Sequence, residues 1–267
     1  MGFQRSKLVS RRLKIKKNMK KFAIAIIAYR EESIIRGCLD GLQDFNVFVS
    51  ISKPWSGKHV AFDKTKEYAI EKNAIVFLND FASEKDQRNY MMEKLQQSGY
   101  DYVFIVDADE YYLKGDIQKA INFIEKHTDI ERFNVGPTAF LWKNAEWEII
   151  PRFNNCIPVC YKSNMRFDGY RNITTNKSLT LPDDIKLYHF SFAGKDDRIL
   201  NKLEHFSHSH EMDSDWFERV WKKWIPEMED LHPHQGAGHI FKKAIPFQCP
   251  EEIRERFYQD QQELKNI

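Results

Sequence analysis

The chain is 267 residues long, 42% hydrophobic, 14% aromatic and 30% charged, which excludes wholesale disorder and suits one large domain with a sizeable core. Its formal charge of +2 is uneven: residues 1–21 hold nine Lys or Arg and no acid, which leaves −7 for the remainder. Four cysteines (Cys38, Cys156, Cys160, Cys249) with no CxxC pair exclude a disulfide framework and a zinc knuckle, and no apolar stretch reaches the roughly 18–20 residues of a membrane span.

The basic run over residues 1–20 is expected to be a flexible tail. Such an arm is either a solvated leader or a contact for anionic lipid or nucleic acid, and of these partners nucleic acid is not expected here. The opening Met1-Gly2-Phe3-Gln4-Arg5-Ser6 also fits the short N-myristoylation pattern. With no signal-peptide core at the start, the expected location is cytoplasmic, with peripheral membrane contact through the tail.

Four short apolar runs follow, Phe22 to Ala28, Val47 to Ile51, Ile75 to Leu78 and Val103 to Val106, each of strand length. Helical periodicity separates them, as in the stripe Ile34, Ile35, Cys38, Leu39, Leu42 and Phe45. This β-α-β-α-β-α-β order predicts an α/β fold whose mostly parallel sheet is flanked by helices and binds ligands at the carboxyl ends of its strands. Beyond Gly115 the pattern predicts a helix over Asp116 to His127 and extended stretches around Phe133 to Trp142, Trp147 to Phe153 and Ile185 to Phe192. A helical C-terminal part is expected over Asp196 to Phe206, Ser214 to Glu229 and from Pro250 onward. Residues 21–267 are read as a single domain that changes character near residue 128.

Chemistry concentrates at Tyr102-Val-Phe-Ile-Val-Asp107-Ala108-Asp109-Glu110, a hydrophobic strand that ends in three carboxylates. In extended backbone Asp107 and Asp109 point to the same side, and two carboxylates so close repel unless a cation or proton lies between them. Hard oxygen ligands select Mg²⁺ or Mn²⁺, and a cation at the carboxyl edge of a parallel sheet can clamp a diphosphate. The plainer alternative is a turn opened by acids before Gly115. Ser83-Glu84-Lys85-Asp86 reads as a capping box for a helix whose buried stripe carries Arg88, Met91, Met92 and Leu95. An arginine on that stripe needs an anion, either a ligand or a neighbouring acid such as Asp86.

Asp107-Ala108-Asp109 resembles the DxD motif of GT-A glycosyltransferases, notably the family 2 type. Ile26-Ile27-Ala28-Tyr29-Arg30-Glu31-Glu32 resembles that family's first strand and the turn after it, and Asp86-Gln87-Arg88-Asn89 resembles its Arg-Asn element. The match covers residues 22–126 and implies a Rossmann-like GT-A fold with a nucleotide-sugar half (21–127) and an acceptor half (128–267). It further implies that Tyr29 and Glu31 lie against the nucleotide, that Arg88 reaches the base or diphosphate, and that Asp109, with Asp107, binds Mn²⁺ or Mg²⁺. The implied reaction moves a sugar, with inversion, from a nucleoside diphosphate sugar, taken as a UDP-sugar, to a hydroxyl of a glycan, lipid or protein. Glu31 and Glu32 also suit plain first-turn acids ahead of a Ser33 cap.

The chain departs from the family after its second strand, where Ser50-Ile-Ser-Lys53-Pro54-Trp55-Ser-Gly57-Lys58 replaces an acidic residue; Trp55 could stack on a base and Lys53 or Lys58 meet phosphate, or the segment is an exposed turn. His189, in the strand-like Ile185 to Phe192, is the candidate third metal ligand against a structural histidine. Asp168 in Phe167-Asp-Gly-Tyr170 is the candidate base against a turn aspartate. The histidines at 205, 208, 210, 232 and 234 lack the cysteine or HExxH helix of a zinc site. Trp216, Phe217, Val220, Trp221 and Trp224 form a core cluster, a sugar platform or a membrane face. The rival functions are a non-catalytic nucleotide- or glycan-binding module and metal-dependent phosphoryl or nucleotidyl transfer.

Overall fold

A computed structural model describes residues 19–55, 59–136, 138–152, 156–205, 209–234, 237 and 240–263. The basic segment 1–18, with the myristoylation pattern, and Lys58 and His208 lie outside the described residues. The four apolar runs are strands: β1 (Phe22–Ala28), β2 (Val47–Ile51), β3 (Ile75–Leu78) and β4 (Tyr102–Asp107). Between them run α1 (Ile35–Asp40), α2 (Thr65–Glu71) and α3 (Glu84–Gln97). Next come β5 (Glu110–Tyr111), α4 (Asp116–Ile124), β6 (Arg132–Val135), β7 (Ala139–Lys143), β8 (Trp147–Ile150), β9 (Ile157–Lys162), β10 (Ser178–Thr180) and β11 (Tyr188–Ala193). Finally α5 (Asp196–His205), β12 (Lys243–Pro246) and α6 (Glu251–Glu263) complete the chain.

The main sheet has the order β10-β6-β9-β4-β1-β2-β3. Its pairs are parallel except where β9 runs antiparallel to β4 and β6. Alternation along β4 sends Tyr102, Phe104 and Val106 to the face covered by α1 and α4, and Val103 and Ile105 to the face that holds Met91, Met92 and Leu95 of α3. β3 departs from the expectation of burial on both faces: it is the sheet's edge strand, and Ile75 and Leu78 are about half exposed.

Register decides what meets at the functional edge. Ile27 lies opposite Asp107, and Ala28 opposite Ile51, so residues 29–31, 52–55 and 107–109 emerge at one end of three adjacent strands. The two-residue β5 then carries the chain into a second sheet, of order β12-β8-β7-β11-β5, where Glu110 pairs with His189.

The segment expected as a helix over 214–229 is instead a five-residue π-helical stretch at Phe217–Trp221 flanked by turns and irregular backbone. Its apolar residues are core: Trp216, Phe217, Val220 and Trp221 are buried with Trp142, Phe192 and Leu231, and partly buried Trp224 packs against them. Trp216 donates to the Leu231 carbonyl and Trp221 to Asp196, so packing against the second sheet takes precedence over regular helix. α6 folds back on α1 through a buried Arg36–Asp260 pair at 3.2 Å and a 2.7 Å bond from the Gly37 amide to Asp260. Among the described residues no helix is long and apolar enough to cross a membrane.

Candidate active site

A cavity of about 540 Å³ opens where the carboxyl ends of β1, β2 and β4 face the second sheet and α5. Tyr29, Glu31, Arg88, Asp107, Asp109 and His189, all singled out from the sequence, line it.

The turn after β1 delivers Tyr29 and Glu31. Its middle residue, Arg30, has φ of 54°, the left-handed region, at a cost of about 1–2 kcal/mol for a non-glycine residue. Strain of this kind persists only where neighbours fix it. The Glu31 amide donates to Thr65 Oγ1 at 2.7 Å, the Glu32 amide donates to Asp63, and the Lys64 amide donates back to Glu32. Ser33 is not a cap, for α1 begins after Ile34 without a side-chain cap. The Tyr29 hydroxyl bonds Val60 and faces His59, while its ring meets His205 edge-on at 5.3 Å.

Helix α3 starts at Ser83, whose hydroxyl accepts from the Asp86 amide, as the capping pattern predicts. One turn on, buried Arg88 takes Glu84 on Nε and Asp107 Oδ1 on Nη2, both at 2.8 Å, in place of the Asp86 partner weighed from the sequence. Asn89 clamps the Phe167 backbone from both sides, which fixes α3 against the loop that follows β9.

Around the strand end, five carboxylates (Glu31, Glu84, Asp107, Asp109, Glu110) meet four fixed cations (Arg88, Arg171, Arg198, Lys202). Arg171 joins Asp107 Oδ2 to both oxygens of Glu110 and donates as well to the carbonyls of Ile105 and Pro158. Burial pushes the Asp107 carboxyl up, but Arg88 and Arg171 outweigh it and hold the group at about 2. The same balance, with Lys202, His189 and Arg198 against burial, holds Asp109 well below the carboxylate range. Glu31 goes the other way: burial exceeds the pull of Arg198 and lifts it to about 7.

Backbone pairing places His189 beside Asp109. The Phe190 amide donates to the Asp109 carbonyl at 2.8 Å, and His189 Nε2 stands 3.1 Å from Asp109 Oδ1. Beyond Gly194, α5 is clipped to β11 by Arg198, which donates to the carbonyls of Phe190, Ser191 and Ala193 and to Asp109 Oδ2. Lys202, one turn further, reaches the same oxygen at 2.7 Å.

Asp168 departs from the expectation for a base. It is exposed, is not among the residues that line the cavity, and accepts from the Thr174 amide and hydroxyl and from Asn172, the bonds of a turn aspartate. Trp55 does line the cavity, whereas Lys53 pairs with Asp80 outside it. Although His189, His205, His232 and His234 all line the cavity, among the described residues no group of three or more His, Cys, Asp or Glu is disposed to hold a metal ion. Sequence reading missed Arg171, Arg198 and Lys202. The available signals were three strand-end acids that demand counter-charges, and the i,i+4 spacing of Arg198 and Lys202.

No family model matches the chain, and no curated protein matches its sequence. Among solved structures it is similar to S. aureus TarS 1-349, with 16% identity over 64% of this chain and 60% of that one and a TM-score of 0.45. It is also similar to the mannosyltransferase PcManGT from Pyrobaculum calidifontis in complex with GDP-Man and Mn²⁺, at 12% identity, 66% and 58% coverage and a TM-score of 0.43. A third likeness is to glucosyl-3-phosphoglycerate synthase from Mycobacterium tuberculosis with Mn²⁺, UDP and glucosyl-3-phosphoglycerate, at 14% identity, 46% and 44% coverage and a TM-score of 0.34. Each match spans less than two thirds of the other protein's chain.

Proposed function

We propose that this chain is a GT-A glycosyltransferase of the family 2 kind that moves a sugar from a nucleoside diphosphate sugar to a hydroxyl acceptor, with Mn²⁺ or Mg²⁺ as cofactor. One observation carries the reading: paired aspartates end the central strand β4 at the carboxyl edge of a parallel sheet, on the wall of a cavity shared with Tyr29, Glu31, Arg88 and His189.

The donor set suits a divalent cation. Asp109 Oδ1 and His189 Nε2 lie 3.1 Å apart, close to the edge of about 2.9–3.0 Å between adjacent ligands of an octahedral ion with bonds of about 2.0–2.1 Å. Both oxygens of Asp107 take an arginine, whereas Asp109 turns Oδ1 to His189 and gives Oδ2 to Arg198 and Lys202. Two protein ligands are few, and hard cations held this way complete their shell with substrate phosphates and water. When bound, such an ion neutralises charge that builds on the leaving diphosphate.

The chain's own residues would do the rest. Arg88 is anchored with Nη1 buried and without a partner among the described residues, a donor available to the nucleotide. Tyr29 and Glu31 line the same cavity from the turn after β1. Phe140, Phe192, Ile240 and Phe241, which also line the cavity, give an apolar platform on which an acceptor ring can stack. Asp168 is assigned no step. A UDP-sugar donor, inversion, a cytoplasmic location and peripheral membrane contact through residues 1–20 belong to the same proposal.

The test is thermal shift and turnover with UDP-, GDP-, CDP- and TDP-sugars, with and without Mn²⁺, for the wild type and Asp109→Asn. One nucleotide class at about 100 times its Kd stabilises the wild type by about 2.7 kcal/mol, only with the metal and not in the variant. Equal responses of the two proteins would sink the assignment, and metal-dependent binding without turnover of any donor would indicate a binding module.

A further inference from the structure

Asp109 meets three side chains that can carry positive charge. Its Oδ1 faces His189, and its Oδ2 accepts from both Arg198 Nη2 and Lys202 Nζ. The two cations share a helix and an acceptor but differ in kind. Arg198 is 3% exposed in its side chain and is fixed by three main-chain carbonyls besides Asp109, so it belongs to the frame that joins α5 to β11. Lys202 lines the cavity and retains 18% of its side-chain surface. Among the described residues its ammonium makes one hydrogen bond, to Asp109.

An ammonium and a divalent cation cannot both be served by Asp109 at little cost, because they repel at short range and each is attracted by the same charge. While the cavity holds no anion, the tethered lysine has the advantage of a permanently high local concentration. A diphosphate changes the balance by bringing acceptor oxygens into the cavity, enough for both positive charges. A lysine on a flexible four-carbon stem can transfer to one of these, whereas the anchored Arg198 cannot.

We propose that Lys202 is a resident stand-in for the metal: it neutralises Asp109 in the empty site, leaves it for the diphosphate of an arriving nucleotide, and thereby makes divalent-cation binding conditional on the nucleotide. This rests on the nucleotide-sugar reading and adds to it a residue that couples two ligands. By linkage, the factor by which nucleotide tightens the cation is also the factor by which the cation tightens nucleotide.

The experiment compares wild type, Lys202→Met and Lys202→Arg as full chains. Mn²⁺ binding is followed by the electron paramagnetic resonance signal of the free ion, and UDP and GDP binding by calorimetry, each with and without the other ligand. Met keeps the bulk of the stem, and Asp109 keeps His189 and Arg198, so the fold is retained; circular dichroism checks this. Wild type is expected to bind Mn²⁺ at least tenfold more tightly with saturating nucleotide than alone. Lys202→Met binds Mn²⁺ alone at least tenfold more tightly than wild type, and binds nucleotide in EDTA at least tenfold more weakly; Lys202→Arg stays nearer wild type on both counts. If wild type binds nucleotide but Lys202→Met shows unchanged or weaker affinity for Mn²⁺ alone, the stand-in role is overturned while the nucleotide-sugar reading survives. A wild type that binds neither nucleotide, with or without Mn²⁺, overturns both.

Discussion

Arg171 is the residue whose loss should be felt most in the frame of the site. Its guanidinium spans Glu110, Asp107 and the carbonyls of Ile105 and Pro158, and the Glu110 side chain has no exposed surface at all. Arg171→Met therefore strands a buried carboxylate and removes one of the two cations on Asp107. Breaking a buried pair from one side costs about 3–5 kcal/mol, chiefly because the remaining charge is uncompensated. For a chain of this size about 2–4 °C of melting temperature goes with each kcal/mol, so the melting point should fall by about 6–20 °C. The assay is a thermal melt at pH 7.5, repeated for Glu110→Gln and the double variant. Because the double variant removes the stranded charge, it should recover at least half of the loss. A drop under about 3 °C for Arg171→Met, or a double variant no better than the single, would refute the view that Arg171 is the counter-charge of the strand end.

Two further effects should be measurable. A Cβ on Gly37 would run into the hydroxyl and ring of buried Tyr111, so Gly37→Ala should destabilise by about 1–3 kcal/mol in urea unfolding, whereas Gly169→Ala, with open space around it, should stay within about 0.5 kcal/mol. The folded pKa of Asp107 lies below its unfolded value of about 3.9, so the stabilisation is present above that value and lost as pH falls toward 2. Roughly 2–3 kcal/mol is at stake. Melts from pH 7 to pH 3 should steepen below pH 4 in the wild type and flatten in Asp107→Asn; parallel curves would contradict the sign.

The first half of the fold was legible because its signals are local. Apolar runs at Phe22, Val47, Ile75 and Tyr102 need no distant partner to be read as strands, and the cap at Ser83 depends on residues three positions apart. The second half was less legible because its order is set by long-range pairing. β10 has only three residues, β9 is placed by antiparallel pairing with β4 and β6, and the Phe217–Trp221 stretch has helical spacing but yields to packing around Trp142. The same divide runs through the site. The acids stand together in sequence, whereas their counter-charges other than Arg88 arrive from a loop and a helix some 60 to 90 residues away. Asp168 shows the converse: a carboxylate in a turn motif announces itself in sequence, yet its bonds to Thr174 are local and keep it out of the cavity.

The keying of α6 into α1 also bears on how the protein is made. Asp260 is bonded to Gly37 and Arg36, more than 220 positions earlier in the chain. On the ribosome, β1 to β4 can pair as they emerge, but α1 must wait for residue 260 to clear the exit tunnel before Arg36 and Gly37 meet Asp260. The packing around α1 is therefore completed only once α6 has been made, and a nascent chain stalled before α6 would carry an unfinished N-terminal half for chaperones to hold.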